Sequence, residues 1–169
     1  PLGTASGAGA IFGTTGGVME AALRTVCDKL TGKTLERLDF QEARGFQGIK
    51  ECTLEIGGHT LHIAIAHTLK NAEVLMEQVR KGISPYDFIE VMACPGGCVG
   101  GGGQPYHHGD MNIIRKRQQA LYEEDKNKTL RKSHENPMII KAYEEYLGKP
   151  YGEMAHELLH TEYTPKERI

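Results

Sequence analysis

The stretch Glu90-Val91-Met92-Ala93-Cys94-Pro95-Gly96-Gly97-Cys98-Val99-Gly100-Gly101-Gly102-Gly103-Gln104-Pro105 constrains this chain more than any other. Residues 88–92 read as a buried strand. The glycines and Pro95 that follow forbid its continuation as strand or helix, because glycine loses most entropy on ordering and proline lacks the backbone donor. The strand must therefore deliver two cysteines, Cys94 and Cys98, into an irregular loop. Thiolates are soft ligands suited to iron–sulfur clusters or zinc. Glycines let a backbone wrap a bulky group and aim its N–H groups at cluster sulfurs, which favours the reduced state. Spacing alone leaves a zinc half-site and a redox thiol pair open.

The rest of the chain supplies a scaffold. Residues 51–56 and 60–66 alternate apolar and polar around Gly57-Gly58, a hairpin signal. Leu69, Ala72, Leu75, Met76 and Val79 share one helical face. Residues 8–12 form a short apolar run before Thr14-Thr15-Gly16-Gly17, which predicts strand, turn and helix, with Thr14 or Thr15 as cap and Gly32 as stop. Residues 111–134 are charged and helical, and Arg115-Lys116-Arg117 reads as a solvated face because Glu123, Glu124 and Asp125 follow. Asn136-Pro137 starts another helix, with Ile139, Ile140, Tyr143, Tyr146 and Leu147 on its apolar face, and a last helix covers about residues 151–160. The expected class is α/β: a mixed sheet of about four or more strands, with one β-hairpin and flanking helices, then an all-helical C-terminal tail. The expected division is residues 1–110 and 111–169. The strand ends that precede Thr14 and Cys94 should converge, since ligands sit at the carboxyl ends of strands in such sheets.

Composition removes several function classes. The 169 residues carry 20 Lys and Arg against 22 Asp and Glu, so no basic surface invites nucleic acid or an anionic membrane. No segment is long and apolar enough to span a bilayer, and residues 1–19 lack the basic start of a signal peptide. A cytoplasmic protein is expected. Cys27, in a helical pattern, and Cys52, in a strand pattern, read as small buried hydrophobes.

The string Glu-x-Met-x-Cys-x-x-Gly-Cys-x-x-Gly resembles the third signature of the iron-only (FeFe) hydrogenases. The resemblance implies a catalytic cluster: a 4Fe–4S cubane joined through one cysteine sulfur to a two-iron unit. It implies Cys94 as a terminal cubane ligand and Cys98 as the bridging, catalytic cysteine. Met92 matches the methionine beside the two-iron unit. Residues 11–21 resemble the family's segment lining the cluster pocket, where Phe12 and Gly13 would touch that unit. Residues 112–163 resemble a segment that is a separate small subunit in some members and is fused in the cytosolic, NAD(P)-linked ones. The implied reaction is reversible oxidation of dihydrogen to protons and electrons.

Two further family signatures, Thr-Ser-Cys-Cys-Pro and Met-Pro-Cys-x-x-Lys, do not occur in these residues. They would supply the other two cubane cysteines, a proton-relaying cysteine and a lysine for a cyanide ligand. A start at Pro1 reads as a piece of a longer subunit or one chain of a split enzyme, inactive alone. The expected partners are the portion carrying those cysteines, and ferredoxin or NAD(P)-linked flavin and iron–sulfur subunits.

Two other readings compete. His156-Glu157-Leu158-Leu159-His160 matches the zinc-protease pattern His-Glu-x-x-His, but only nine residues follow and Glu162 and Glu167 lie too near to complete a site. The loop could instead belong to a non-enzymatic metal or thiol interaction module. His107-His108 reads as an exposed loop. Thr31-Gly32-Lys33-Thr34 falls short of a nucleotide loop, because Cys27 stands where its first glycine belongs.

Overall fold

The computed structural model describes residues 3–33 and 39–164. A three-stranded sheet in the order β1-β2-β3 forms its centre: β1 Ile49–Ile56, β2 His59–His67 and β3 Phe88–Met92. Strands β1 and β2 are antiparallel and β2 and β3 parallel. Gly57 and Gly58 take φ of 58° and 81°, the left-handed pair of a type I′ turn, and Ile56 pairs with His59 directly across it. Helix α3, Leu69–Arg80, makes the crossover to β3. Of its expected apolar face, Ala72 and Leu75 are buried, whereas Leu69 and Val79 are exposed.

One face of the sheet packs on helix α2, Gly17–Thr31, where Met19, Leu23 and Cys27 meet Leu54, Ile56, Ile63 and Ile65, with Cys52 packed at the margin. Alternate β2 residues Ala64 and Ala66 face Leu75 of α3 on the other side. The period of two along β2 thus feeds both faces, which explains its near-continuous burial.

Several expectations are corrected. The described residues contain three strands rather than four or more. Residues 8–12 are not a strand: Gly7–Ile11 form a short helix, α1, capped by the Ser6 hydroxyl, which accepts from Gly9 N–H at 3.2 Å. The reason is close packing. Any side chain on Gly7 would overlap the Asp125 carboxylate, and the free N–H groups of Gly7 and Ala8 donate to Leu130 and Arg131 carbonyls at 2.8 and 3.0 Å. Neither Thr14 nor Thr15 caps α2. Gly16 is the N-cap, with φ of 85° and no capping side chain of its own, while Gly32 does end the helix in a left-handed conformation.

The tail begins with α4, Met111–Asn127, capped by Asp110. Asn136 caps α5, Pro137–Ala142, as its sequence foretells: its side-chain oxygen accepts from Met138 N–H at 2.9 Å. A π turn at Tyr143–Leu147 follows, then α6, Glu153–Leu159. Ile139, Ile140 and Tyr146 of the expected apolar face stay exposed.

Charge joins tail to body. Arg24, fully buried, donates to Glu20 at 2.8 Å and to both oxygens of Asp125 at 2.7 and 2.8 Å. Arg44 bridges Glu20 and Asp39, and Arg131 bridges Asp125 and Asp39. Three guanidiniums thus face three carboxylates.

Candidate active site

Strand β3 ends at Met92, opposite His67 at the end of the parallel β2. Cys94 follows, half-buried, and Cys98 begins a short 3-10 turn, Cys98–Gly100, with its side chain exposed. Both thiols are free. The loop's backbone is tied inward: the Cys94 carbonyl accepts from Gly97 N–H and the Cys98 carbonyl from Gly101 N–H, each at 3.0 Å.

The expected convergence with the 12–17 turn is observed, although a helix precedes that turn. Thr15 N–H donates to the Gly96 carbonyl at 3.0 Å, and Val99 N–H donates to the Gly13 carbonyl at 3.1 Å. Gly97 lies in the contact. A Cβ there would come within 2.8 Å of Thr15 N, and its φ of 94° is one that side chains disfavour. Phe12, at 46% exposure, and the half-buried Met92 remain accessible.

Glu90 locks the turn to the strand. Its carboxylate accepts from Gly16 N–H at 2.6 Å and Met19 N–H at 2.7 Å, replacing the missing threonine cap at the positive end of α2. Burial lifts its pKa, the backbone donors pull it down, and the net shift is upward. Glu90 reads in sequence as an ordinary strand residue; its spacing two before Met92 is the only local hint of its use.

Tail residues approach the same loop. Tyr122, on α4, accepts from the Thr14 hydroxyl at 3.2 Å and lies under the Arg44 guanidinium at 4.0 Å. Burial pushes its phenol up to about 12. Arg117 donates to the Val99 and Pro105 carbonyls, so the basic triplet is not simply a solvated face.

Two buried polar atoms beside the loop's supports lack protein partners: Thr15 Oγ1 and His67 Nδ1. Gly102 has neither a left-handed φ nor any atom within 4 Å of a Cβ placed on it, so nothing in the chain itself requires glycine there.

The competing histidine motif lies elsewhere. His156 and His160 are exposed, with their Nδ1 atoms 2.5 Å apart, and line an open cleft with Tyr143 and Leu159. Among the described residues no third ligand atom completes a cluster with them; Glu167 lies outside those residues. Among the described residues, the two groupings close enough for a cation are already bridged by side-chain cations: Glu20, Asp39 and Asp125 by arginines, and Asp28 and Glu135, which stand beside His134, by Lys132.

The sequence profile described as "Iron only hydrogenase large subunit, C-terminal domain" matches residues 1–102, more than half of the chain. The chain belongs to the iron-only hydrogenase family. A second profile, "Iron hydrogenase small subunit", matches residues 111–166. The chain is 54% identical to the NADP-reducing hydrogenase subunit HndD of Solidesulfovibrio fructosivorans, over 100% of this chain and 29% of that protein. It is 44% identical to iron hydrogenase 1 of Clostridium pasteurianum, over 96% of this chain and 29% of that one. A variant of the FeFe-hydrogenase HydA1 from Chlamydomonas reinhardtii superposes with a TM-score of 0.69 at 45% identity, covering 90% of this chain and 45% of the other. The chain therefore spans under a third of the length of these curated relatives.

The residues present suit an iron–sulfur group. Two free thiols stand on one glycine loop, Gly102 leaves room for close backbone approach, and unpartnered polar atoms sit at the loop's supports.

Proposed function

We propose that this chain is part of an iron-only hydrogenase and supplies two cysteine ligands of its catalytic cluster, for the reaction in which dihydrogen gives two protons and two electrons, and the reverse. The observation that carries this reading is the Cys94–Cys98 loop, rigid through its backbone bonds to Gly13 and Thr15 yet with both thiols free. In this reading Cys94 would hold the cubane portion of the cluster, and Cys98 would hold the side that carries the two-iron unit. Met92, Phe12 and Gly13 line the two-iron side. When bound, the group supplies the redox chemistry. The chain's own part is to hold two thiolates in place and present apolar walls that limit water.

A cubane held by protein thiolates takes four, so the other ligands come from a further portion of the subunit or a partner chain. This chain alone is inactive. Residues 1–110 serve as a lobe of the cluster domain and 111–169 as a fused small-subunit-like tail. A cytoplasmic setting with ferredoxin or NAD(P)-linked partner subunits goes with the resemblance to an NADP-reducing hydrogenase subunit. No helix among the described residues is long and apolar enough to cross a membrane.

The test is iron content and the carbonyl and cyanide infrared bands of the complete subunit, with Cys94→Ser and Cys98→Ser. The expected outcome is full loss of the bands in each variant and none on this chain alone. Undiminished bands in both serine variants would sink the proposal.

A further inference from the structure

Arg117 lies on α4, in a charged triplet whose neighbour Lys116 is exposed. One guanidinium nitrogen donates to the Val99 carbonyl at 3.0 Å, the other to the Pro105 carbonyl at 2.6 Å. These two carbonyls bound the glycine run that follows Cys98. A planar fork can serve two acceptors at once, which a lysine ammonium does with less geometric definition.

Val99 is consequently held at three points. Its N–H donates to Gly13, its carbonyl accepts from Arg117, and its side chain is buried. Cys98 stands between this anchored residue and Gly97, which is itself pressed against Thr15. The direction of the exposed Cys98 side chain is set by these two neighbours. Removing the Arg117 bonds frees one end of that arrangement and releases the glycine run, where a Cβ placed on Gly102 or Gly103 would meet open space.

We infer that Arg117 is a positioning residue for the cluster: by clasping both ends of the glycine run it aims the Cys98 thiolate at iron, so that helix α4 of the tail helps to build the site. This rests on the reading of Cys98 as an iron ligand. Ligand-orienting partners of this kind typically change metal affinity or activity by about 10- to 100-fold when removed.

The experiment uses the complete subunit with Arg117→Met, Arg117→Lys and the neighbouring control Lys116→Met. Three quantities are read: amide hydrogen exchange at Gly100 and Gly101 in the metal-free protein, iron release to a chelator, and thermal midpoint. Arg117→Met should speed exchange at both amides and release iron about tenfold faster or more, at nearly unchanged midpoint. Arg117→Lys should recover part of the iron retention, and Lys116→Met should match wild type. Wild-type exchange and iron retention in Arg117→Met would overturn the inference, as would iron loss that merely follows a lowered midpoint and is not rescued by lysine. If the loop loosens but wild-type iron ignores Cys98→Ser, the ligand reading fails and takes the inference with it, by a route distinct from an unmoved Arg117→Met.

Discussion

Along the flank of α2, Glu20, Arg24 and Asp125 are wholly buried and each carboxylate meets at least two guanidiniums. At the N-terminal end of the same helix, the cysteine loop ties its backbone down as thoroughly but keeps its side chains uncommitted. Cys98 is exposed, Cys94 is free, and the buried Thr15 Oγ1 and His67 Nδ1 lack protein partners. The flank completes its bonding within the chain, so its product is stability and the joining of tail to body. The loop combines a fixed frame with available donors, as a site for an external group must, because ligand geometry is only as good as the frame behind it.

The flank should respond most strongly to substitution. Arg24→Met removes the cation that Glu20 and Asp125 share and leaves each with one guanidinium, from Arg44 and Arg131, so the cost should be about 3 kcal/mol, the low end for a broken buried pair. Urea unfolding followed by circular dichroism measures it. A cost below about 1 kcal/mol would mean the network behaves as a surface pair and the flank is not what joins the two regions.

Gly97→Ala probes the loop. A left-handed φ and a 2.8 Å approach to the Thr15 nitrogen together penalise the new methyl group, by about 1–3 kcal/mol. The damage should centre on the loop: in the complete subunit, iron loading should fall more steeply than the unfolding midpoint. Equal loading by variant and wild type would show that the frame tolerates movement and weaken the contrast.

The smallest effects are in pH, and the two regions should differ in sign. Burial raises the Asp125 pKa, but hydrogen bonds and charge from Arg24 and Arg131 outweigh it and hold the carboxyl below its usual 3.8. Asp39 is likewise held low: burial raises it, and Arg131 and Arg44 more than offset that. A depressed acid contributes stability above its unfolded value, lost as pH falls through the folded one. Junction stability should therefore be complete above about pH 3.8 and drain away below it. Glu90 runs the other way. Burial raises it above 4.5, so its contribution is complete below that value and declines as pH rises through the folded pKa. Unfolding midpoints across this range, for Asp125→Asn and Glu90→Gln, should each lose one of the two slopes. Parallel slopes in both variants would erase the distinction.

Much of this arrangement is local enough to read along the chain. Gly57-Gly58 between alternating strands specifies a hairpin, because φ > 0 at two successive positions selects the turn. Asn136-Pro137 specifies a helix start, because the cap bond spans two residues. The cysteine loop is legible as a loop from its glycines, and as a candidate cluster site from its family signature. The apolar run before Thr14 misleads: five residues carry too little periodicity to separate strand from helix, and contact with α4 decides. The capping of α2 also misleads, because Glu90, from a strand 71 residues on, displaces the nearby threonines as acceptor at Met19 N–H.

Elements whose bonds close within a few residues, and the soft donors that a glycine loop presents, are thus written along the chain. Which distant groups meet is settled by packing: Arg24 with Asp125 across 101 positions, and Arg117 with the Val99 carbonyl across 18. The physical reason is range. Turns, caps and periodicity are set by local sterics and hydrogen bonds, whereas an ion pair or a clasped carbonyl exists only after packing has excluded water and brought two remote segments within about 3 Å.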